Sequence, residues 1–494
     1  MSLALALVLL PAAAGVLAFV LRSYPARRAL LILAALGHAL LVGACWLPGS
    51  VPPVGDRWLA IDPLGLIFLS IASLLFLAAS VYAVGYLARE AHGRRPDFEE
   101  SGVFFANVPE AIFIGGLLLF LATLSLAALS QHFGLLWVGM EATTLATAPL
   151  IYFHRHHRSL EAAWKYLLIC SVGIGIALLG NFVLAVAAEA PQGEPIPLVV
   201  GALAARAGEM DRLWLRAAFL FFIVGYGTKM GLAPLHTWLP DAHSECPSVV
   251  SALLSGALLN VALLGILRAQ QVLVAAGEGA FGRSLLLGFG VLSVFVAAVF
   301  VLGQPDYKRL LAYSSVEHVG ILALGVGLGP WGAFPALYHA INHSLAKAML
   351  FLVSGNILAA YRTKEAAGVR GVLYRLPASG VLWIAGFLAI SGVPPFGTFF
   401  SKYLVLAGAF GAGRPWLGIA LLALLALIFA GMGKTMLGMA YGTRPPDPAV
   451  PVREPWLAIA PPAVLLVLLL ATGLALPDSV RRILEQAAHQ LDAP

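Results

Sequence analysis

The chain has 494 residues, 60% of them hydrophobic and 11% charged, with a formal net charge of +6. Soluble domains carry about a quarter charged residues, so this balance excludes a water-solvated fold and leaves no room for a separate soluble domain. The positive excess does not point to nucleic acid, because the basic residues are strung along short polar stretches and build no continuous face.

About 20 apolar residues cross about 30 Å of hydrocarbon, and such runs follow one another along the whole chain. The first, 3–21, has no basic segment before it and Arg22, Arg27 and Arg28 after it, so it is expected to be a retained membrane helix and not a cleaved signal. Further runs fall at 28–47, 63–88, 111–129, 133–153, 162–188, 214–254, 257–275, 284–303, 309–328, 333–360, 379–411, 416–441 and 455–475. The expected fold is an all-α polytopic membrane protein with about 14 crossings. The stretch from Arg89 to Glu100, with Asp97 and Glu99, reads as a solvated face.

Crossings 7 and 12 are too long for one straight span and carry prolines inside, at Pro234 to Pro247 and at Pro394-Pro395, so both are expected to be discontinuous. They lie five crossings apart, so the second is inserted upside down relative to the first. That is the mark of two inverted five-helix repeats, crossings 4 to 8 and 9 to 13, with the transport site at the broken members. The chain divides accordingly into residues 1–110, a first repeat 111–275, a second repeat 276–442, and crossing 14 with its tail, 443–494. Seventeen lysines and arginines, Lys308 and Arg444 among them, lie after odd-numbered crossings; nine lie after even-numbered ones or in the tail. The asymmetry puts both termini on the non-cytoplasmic side.

Four lysines remain inside apolar runs: Lys229, Lys347, Lys402 and Lys434. A lipid-facing charge at mid-depth costs several kcal/mol, so each must face protein, water or the interface. None of the four is arginine, and a buried lysine can exchange its proton where arginine stays charged. In crossing 5, HFGLLWVGMEATTLATAPLIYF sets Glu141 at mid-span as the natural partner of Lys229; a packing glutamate is the competing reading. Around the first break, GYGTKMGLAPLHTWLPDAH adds His236, Asp241 and His243.

In crossing 11, His339, His343 and Lys347 recur at i, i+4 and i+8, one stripe about 12 Å long. With water between them, such groups form a proton relay. AYSSVEHVG adds Glu317 and His318, divided evenly between a solvated helix end and function. Lys402 follows the second break as the expected counterpart of Lys229, and Lys434 is expected to snorkel to the interface. His339 and His343 also form an HxxxH pair, so an intramembrane metalloenzyme is an alternative. The other histidine cluster, His154 to His157 with Arg155, sits in a polar loop and does not complete such a site. Cys45, Cys170 and Cys246 are scattered without a CxxC pair, so no iron–sulfur or disulfide framework is written here and any redox cofactor belongs to another chain.

WVGMEATTLATAPLI, EAAWKYLLICSVGIGIALLG, GYGTKMGLAPLHTWLPDAHSECPSVV, KRLLAYSSVEHVG, HAINHSLAKAMLFLVSG and GVPPFGTFFSKYLVL occur in one order over crossings 4 to 13. Together they resemble the antiporter-like subunits of the complex I superfamily, most of all the F-type subunit of hydrogenase-4-like membrane-bound hydrogenase complexes. The resemblance implies a proton-translocating subunit in a bacterial or archaeal cell membrane, with two half-channels joined by a line of charged residues and water. It implies Glu141, Lys229, His339, His343, Lys347 and Lys402 as the proton path, and as partners other membrane subunits and a peripheral redox arm. No cofactor is expected on this chain. Where many relatives have a lysine on crossing 8, this chain has Asn260, so the link between halves is expected to be water-filled or to use His236 or His318. Only 19 residues follow crossing 14, too few for the long lateral helix of the most distal relatives. A subunit of a multisubunit Na⁺ or K⁺/H⁺ antiporter is the alternative within the same superfamily.

Overall fold

A computed structural model describes residues 2–47, 57–90, 93–97, 104–189, 194–442 and 453–492; Glu99, Glu100 and Arg444 lie outside them. Six crossings precede the first break: α1 (Leu3–Val20), α2 (Tyr24–Cys45), α3 (Pro63–Arg89), α4 (Glu110–Leu129), α5 (Phe133–Ile151) and α6 (His157–Ala187). The seventh is α7a (Arg212–Met230) followed by α7b (Trp238–Glu245), and the eighth, α8, runs over Ser248–Ala275. Then come α9 (Gly279–Val301), α10 (Tyr307–Gly327), α11 (Ala333–Tyr361), α12a (Pro377–Ser391), α12b (Gly397–Gly411), α13 (Pro415–Tyr441) and α14 (Trp456–Leu474). A last helix, α15, covers Asp478–Asp492.

Among the described residues, 13 helices are long and apolar enough to cross a membrane, and the two halves of α12 make the fourteenth crossing. One boundary moves: residues 248–254, expected at the end of crossing 7, open α8 instead, with Pro247 just ahead of its first turn. A two-stranded hairpin, β1 (Arg94–Pro96) antiparallel to β2 (Phe104–Ala106), interrupts the otherwise helical architecture.

Short polar side chains start the helices. Asp62 accepts from the Gly65 amide at α3, Asp211 from Leu213 and Trp214 at α7a, and Asp306 from Lys308 and Arg309 at α10. Both broken crossings stop at a glycine in the left-handed region, Gly231 and Gly392, each with φ +84°. A side chain there is strained, so glycine ends the helix where the chain must turn. Each break also contains a cis X-Pro bond.

An even number of crossings puts both termini on one face, here the terminal side; the opposite face carries most of the loop arginines and is the arginine side. The most apolar 18 residues of α8 are wholly buried and those of α10 are 94% buried, against 28% for α14. Helices enclosed by protein on every face form the centre of the bundle. The buried Glu317, His318, His339, His343 and Lys347 lie on α10 and α11.

Candidate functional site

Lys229 ends α7a fully buried, held there by the turn at Gly231. Its ammonium donates to Thr144 Oγ1 at 2.6 Å and to the Tyr166 hydroxyl at 2.9 Å. α6 can bring Tyr166 so close because α6 and α7a touch through glycines: a Cβ on Gly225 would stand 2.7 Å from the Gly173 carbonyl oxygen. Glu141 does not contact Lys229 directly. Thr144 bridges them, donating to Glu141 Oε2 at 3.4 Å, while Ser171 holds Oε1 at 2.8 Å. The expected pair is thus a hydroxyl-bridged one, with Glu141 half-buried on α5. The hydroxyls of Thr144, Tyr166 and Ser171 carry no charge and leave no signal in the sequence.

Toward the arginine side, α7b presents Asp241, which pairs with Lys165 at 2.9 Å and with Arg309. These residues line a cavity of about 470 Å³ beside Tyr166's helix. Lys308, placed in a loop by the sequence, is buried and donates to the Ser244 and Cys246 carbonyls at 3.0 and 2.7 Å, which neutralises the end of α7b. Asp97 is not solvated either. It takes both bonds from Arg158, at 3.0 and 2.8 Å.

Between the halves, Asn260 donates to the Gly256 carbonyl at 2.9 Å and Ser344 Oγ at 2.5 Å, clamping α8 to α11 beside a π-turn at Leu254–Leu258. His236, in the first half, faces Tyr313 on α10 of the second half with ring centroids 6.3 Å apart, and His318 lies within the second half against His339. The His243 ring is fully buried, stacks on Phe351 at 5.0 Å and lies 6.5 Å from Trp238, and among the described residues neither ring nitrogen has a partner. Trp238 in turn contacts Tyr166 at 5.1 Å and donates to the Thr228 carbonyl beside Lys229, while Phe351 lies one turn from Lys347. Lys402 follows its break glycine by ten residues, whereas Lys229 precedes its own by two. By position after the break, His243 and not Lys229 is the nearer counterpart of Lys402.

In the second half, Lys347 donates to the Leu311 carbonyl at 2.7 Å. The ring planes of His318, His339 and His343 lie within 14–20° of one another. His318 Nδ1 meets His339 Nε2 at 2.8 Å, and His339 Nδ1 meets Ser401 Oγ at 2.8 Å. Lys402 pairs with Glu317 at 2.7 Å and donates to the Ile390 carbonyl at 3.0 Å. Glu317 is thus buried and paired, where the sequence left it divided. Lys434 is exposed on α13, apart from this line. No group of three or more His, Cys, Asp or Glu among the described residues is placed to hold a metal.

The profile of the family described as NADH:quinone oxidoreductase/Mrp antiporter, TM, matches residues 130–428. The chain is 35% identical to the hydrogenase-4 component F homolog of Methylacidiphilum infernorum over 89% of this chain and 90% of that one. It is 30% identical to NADH-quinone oxidoreductase subunit N of Desulforudis audaxviator, over 85% of this chain and 80% of that one. A chain of respiratory complex I from Thermus thermophilus superposes with a TM-score of 0.75 at 26% identity, covering 96% of this chain and 97% of that one.

Proposed function

Since the chain belongs to the NADH:quinone oxidoreductase/Mrp antiporter membrane-subunit family, we propose that it is a proton-translocating subunit of a membrane-bound redox complex of hydrogenase or quinone-oxidoreductase type. The observation that carries this reading is the series through the bundle of Glu141, Thr144, Lys229, Tyr166, Trp238, His243, Lys347, His343, His318, His339 and the Lys402–Glu317 pair. Its groups hold protons on nitrogen and oxygen. Na⁺ and K⁺ are held by several oxygens at once, and this lysine- and histidine-rich series does not supply such a cage. The chemistry favours H⁺ as the transported ion over the antiporter alternative.

The two ends of the series open to opposite faces. Lys229 is hydrogen-bonded to Tyr166, whose neighbour Lys165 lines the Asp241 cavity on the arginine side. Lys402 lies nine residues from the end of α12b, about 14 Å from the terminal side. A proton taken up at Lys229 passes through water to His243 and Lys347, crosses the three histidines and leaves from Lys402 or His339. Glu141, one hydroxyl away, sets how firmly Lys229 holds its proton, and a charge change in a neighbouring subunit reaches Lys229 through it. Electron transfer belongs to partner subunits and their peripheral arm. The halves correspond to inverted repeats over residues 111–275 and 276–442, and the loop charges support termini on the non-cytoplasmic side. His236 shapes water access at the first break.

Lys229→Ala in the assembled complex tests the reading. Proton translocation is expected to collapse with assembly preserved; translocation at the wild-type rate would overturn it.

A further inference from the structure

The C-terminal helix α15 is amphipathic. Leu484, Ala487, Ala488 and Leu491 are buried, and the helix packs on α3, α8 and α11 at the terminal side. Arg481, Glu485, His489 and Asp492 recur at i, i+4, i+8 and i+11, so they form one polar edge. The edge is open to water at Arg481, Glu485 and His489 and half-buried at Asp492. It walls a cavity of about 750 Å³ whose other walls include Tyr338, Phe400 and Thr472.

The cavity floor lies against the end of the proton line. The Tyr338 hydroxyl donates to the Thr472 carbonyl at 2.7 Å, and Thr472 Oγ1 donates to Asn342 Oδ1 at 2.7 Å. Tyr338 immediately precedes His339, and Phe400 immediately precedes Ser401, which is hydrogen-bonded to His339. No Cβ fits on Gly397 without meeting Asn342 Oδ1, so α12b is pressed onto this floor. His339 lies six residues into α11, about 9 Å from the cavity side of the helix. A stripe of carboxylate and imidazole groups thus shares one cavity with the floor beside the last histidine of the line.

We propose that α15 carries the proton port of the terminal side, with Asp492 and His489 as the groups that exchange protons between the cavity and bulk water. This rests on the translocation reading above. A proton reaching the cavity from His339 by way of water bonds to the Asp492 carboxylate. Asp492 then gives it to bulk water or a buffer base and returns to its ionised form, so one O–H bond forms and one breaks per proton. Burial pushes the Asp492 carboxyl up to about 6, against the opposing charges of Arg283 on α9 and His489. Arg481 is occupied by Glu485 at 2.8 Å, and the Asp62–Arg268 pair between α3 and α8 is closed on itself. A carboxyl with this midpoint binds and releases protons near neutral pH, as an exchange group requires.

The test uses the assembled complex in vesicles, with proton appearance on the terminal side followed against the pH of that side. In the wild type the rate is expected to rise with pH through about 6 as Asp492 becomes free to accept. Asp492→Asn with His489→Gln is expected to slow translocation several-fold and flatten this rise at unchanged subunit content, and Asp492→Glu is expected to keep it. A double variant that follows the wild type at every pH, while Lys229→Ala stops translocation, overturns the port and leaves the translocation reading standing. Full translocation in Lys229→Ala removes that reading and the port with it. If the double variant does not assemble, the infrared carboxyl band of the wild-type complex decides: a band titrating near 6 and lost in Asp492→Asn supports the port, and its absence overturns it.

Discussion

Lys402 and Glu317 form a buried ion pair, Nζ to Oε1 at 2.7 Å, whereas Lys229 meets its carboxylate Glu141 only through the Thr144 hydroxyl. The two half-sites therefore hold charge differently. At Lys402 the cation is neutralised by direct contact, while at Lys229 neutral donors and acceptors surround it and the counter-charge stands one residue farther off. A change of charge near Glu141 is accordingly felt most at Lys229, the end of the series where coupling must act.

Removing one member of the direct pair leaves the other buried and uncompensated, at a cost of about 3–5 kcal/mol. Glu317→Gln is expected to lower the thermal stability of the complex and stop translocation. Glu317→Leu combined with Lys402→Met is expected to restore stability without restoring transport. Thermal unfolding beside a flux assay separates the two effects; equal stability of Glu317→Gln and wild type would contradict the pairing.

Thr144 joins Glu141 to Lys229 through a single hydroxyl. Thr144→Val keeps the shape and removes that buried hydroxyl, which costs about 1–3 kcal/mol when its partners stay unsatisfied. Translocation is expected to fall while Thr144→Ser retains most of it. Indistinguishable fluxes in the valine and serine variants would show that the bridge does not matter.

In the proposed path His243 is the proton carrier between Lys229 and Lys347, a role that Asn260 cannot take. His243→Phe is expected to abolish translocation, because Phe fits the stack on Phe351 but carries no proton. Adding Asn260→Lys to that variant is expected to recover part of the flux by supplying a second carrier in the same gap. A His243→Phe complex pumping at full rate would remove His243 from the path.

Far from the line, Asp62 at the start of α3 receives both Arg268 nitrogens, at 2.5 and 2.6 Å, as well as the Gly65 amide. Burial opposes its ionisation, but the charge and hydrogen bonds of Arg268 outweigh it and hold the carboxyl below its usual 3.8. The folded-state value is lower than the unfolded one, so the pair contributes stability above the usual carboxylate range and loses it as pH falls through the depressed value. Asp62→Asn is expected to cost about 3–5 kcal/mol at neutral pH by leaving Arg268 unpaired. It is also expected to remove the acid-side loss expected of the wild type, and a pH-stability scan reads both.

The lysines of the line and both breaks are conspicuous in the sequence, because a charge or a Gly-Pro stop inside an apolar run costs free energy that a plain membrane span would avoid. Lys229, Lys347, Lys402 and the His339–His343 stripe were legible for that reason. What long-range packing decides was not. The Asp62–Arg268 contact joins residues 206 positions apart, Lys308 looked like a loop residue until α7b closed over it, and Asp97 looked solvated until Arg158 reached it. The helix boundary at Pro247 was blurred because the apolar run continues without interruption from α7b into α8. His243 was visible as one of several polar residues at a break, and only its unpartnered ring nitrogens and its stack toward Lys347 single it out.

In the proposed path Lys347 stands between His243 and the histidines of the second half, so every proton crossing the subunit by this route must pass it. The direct measurement is proton flux per electron in the assembled complex carrying Lys347→Met, which keeps the volume of the side chain and removes its proton-carrying group. Flux through this subunit is expected to vanish while electron transfer continues and the subunit stays in the complex. An unchanged proton-to-electron ratio would contradict a path through Lys347 and with it the joined half-channels.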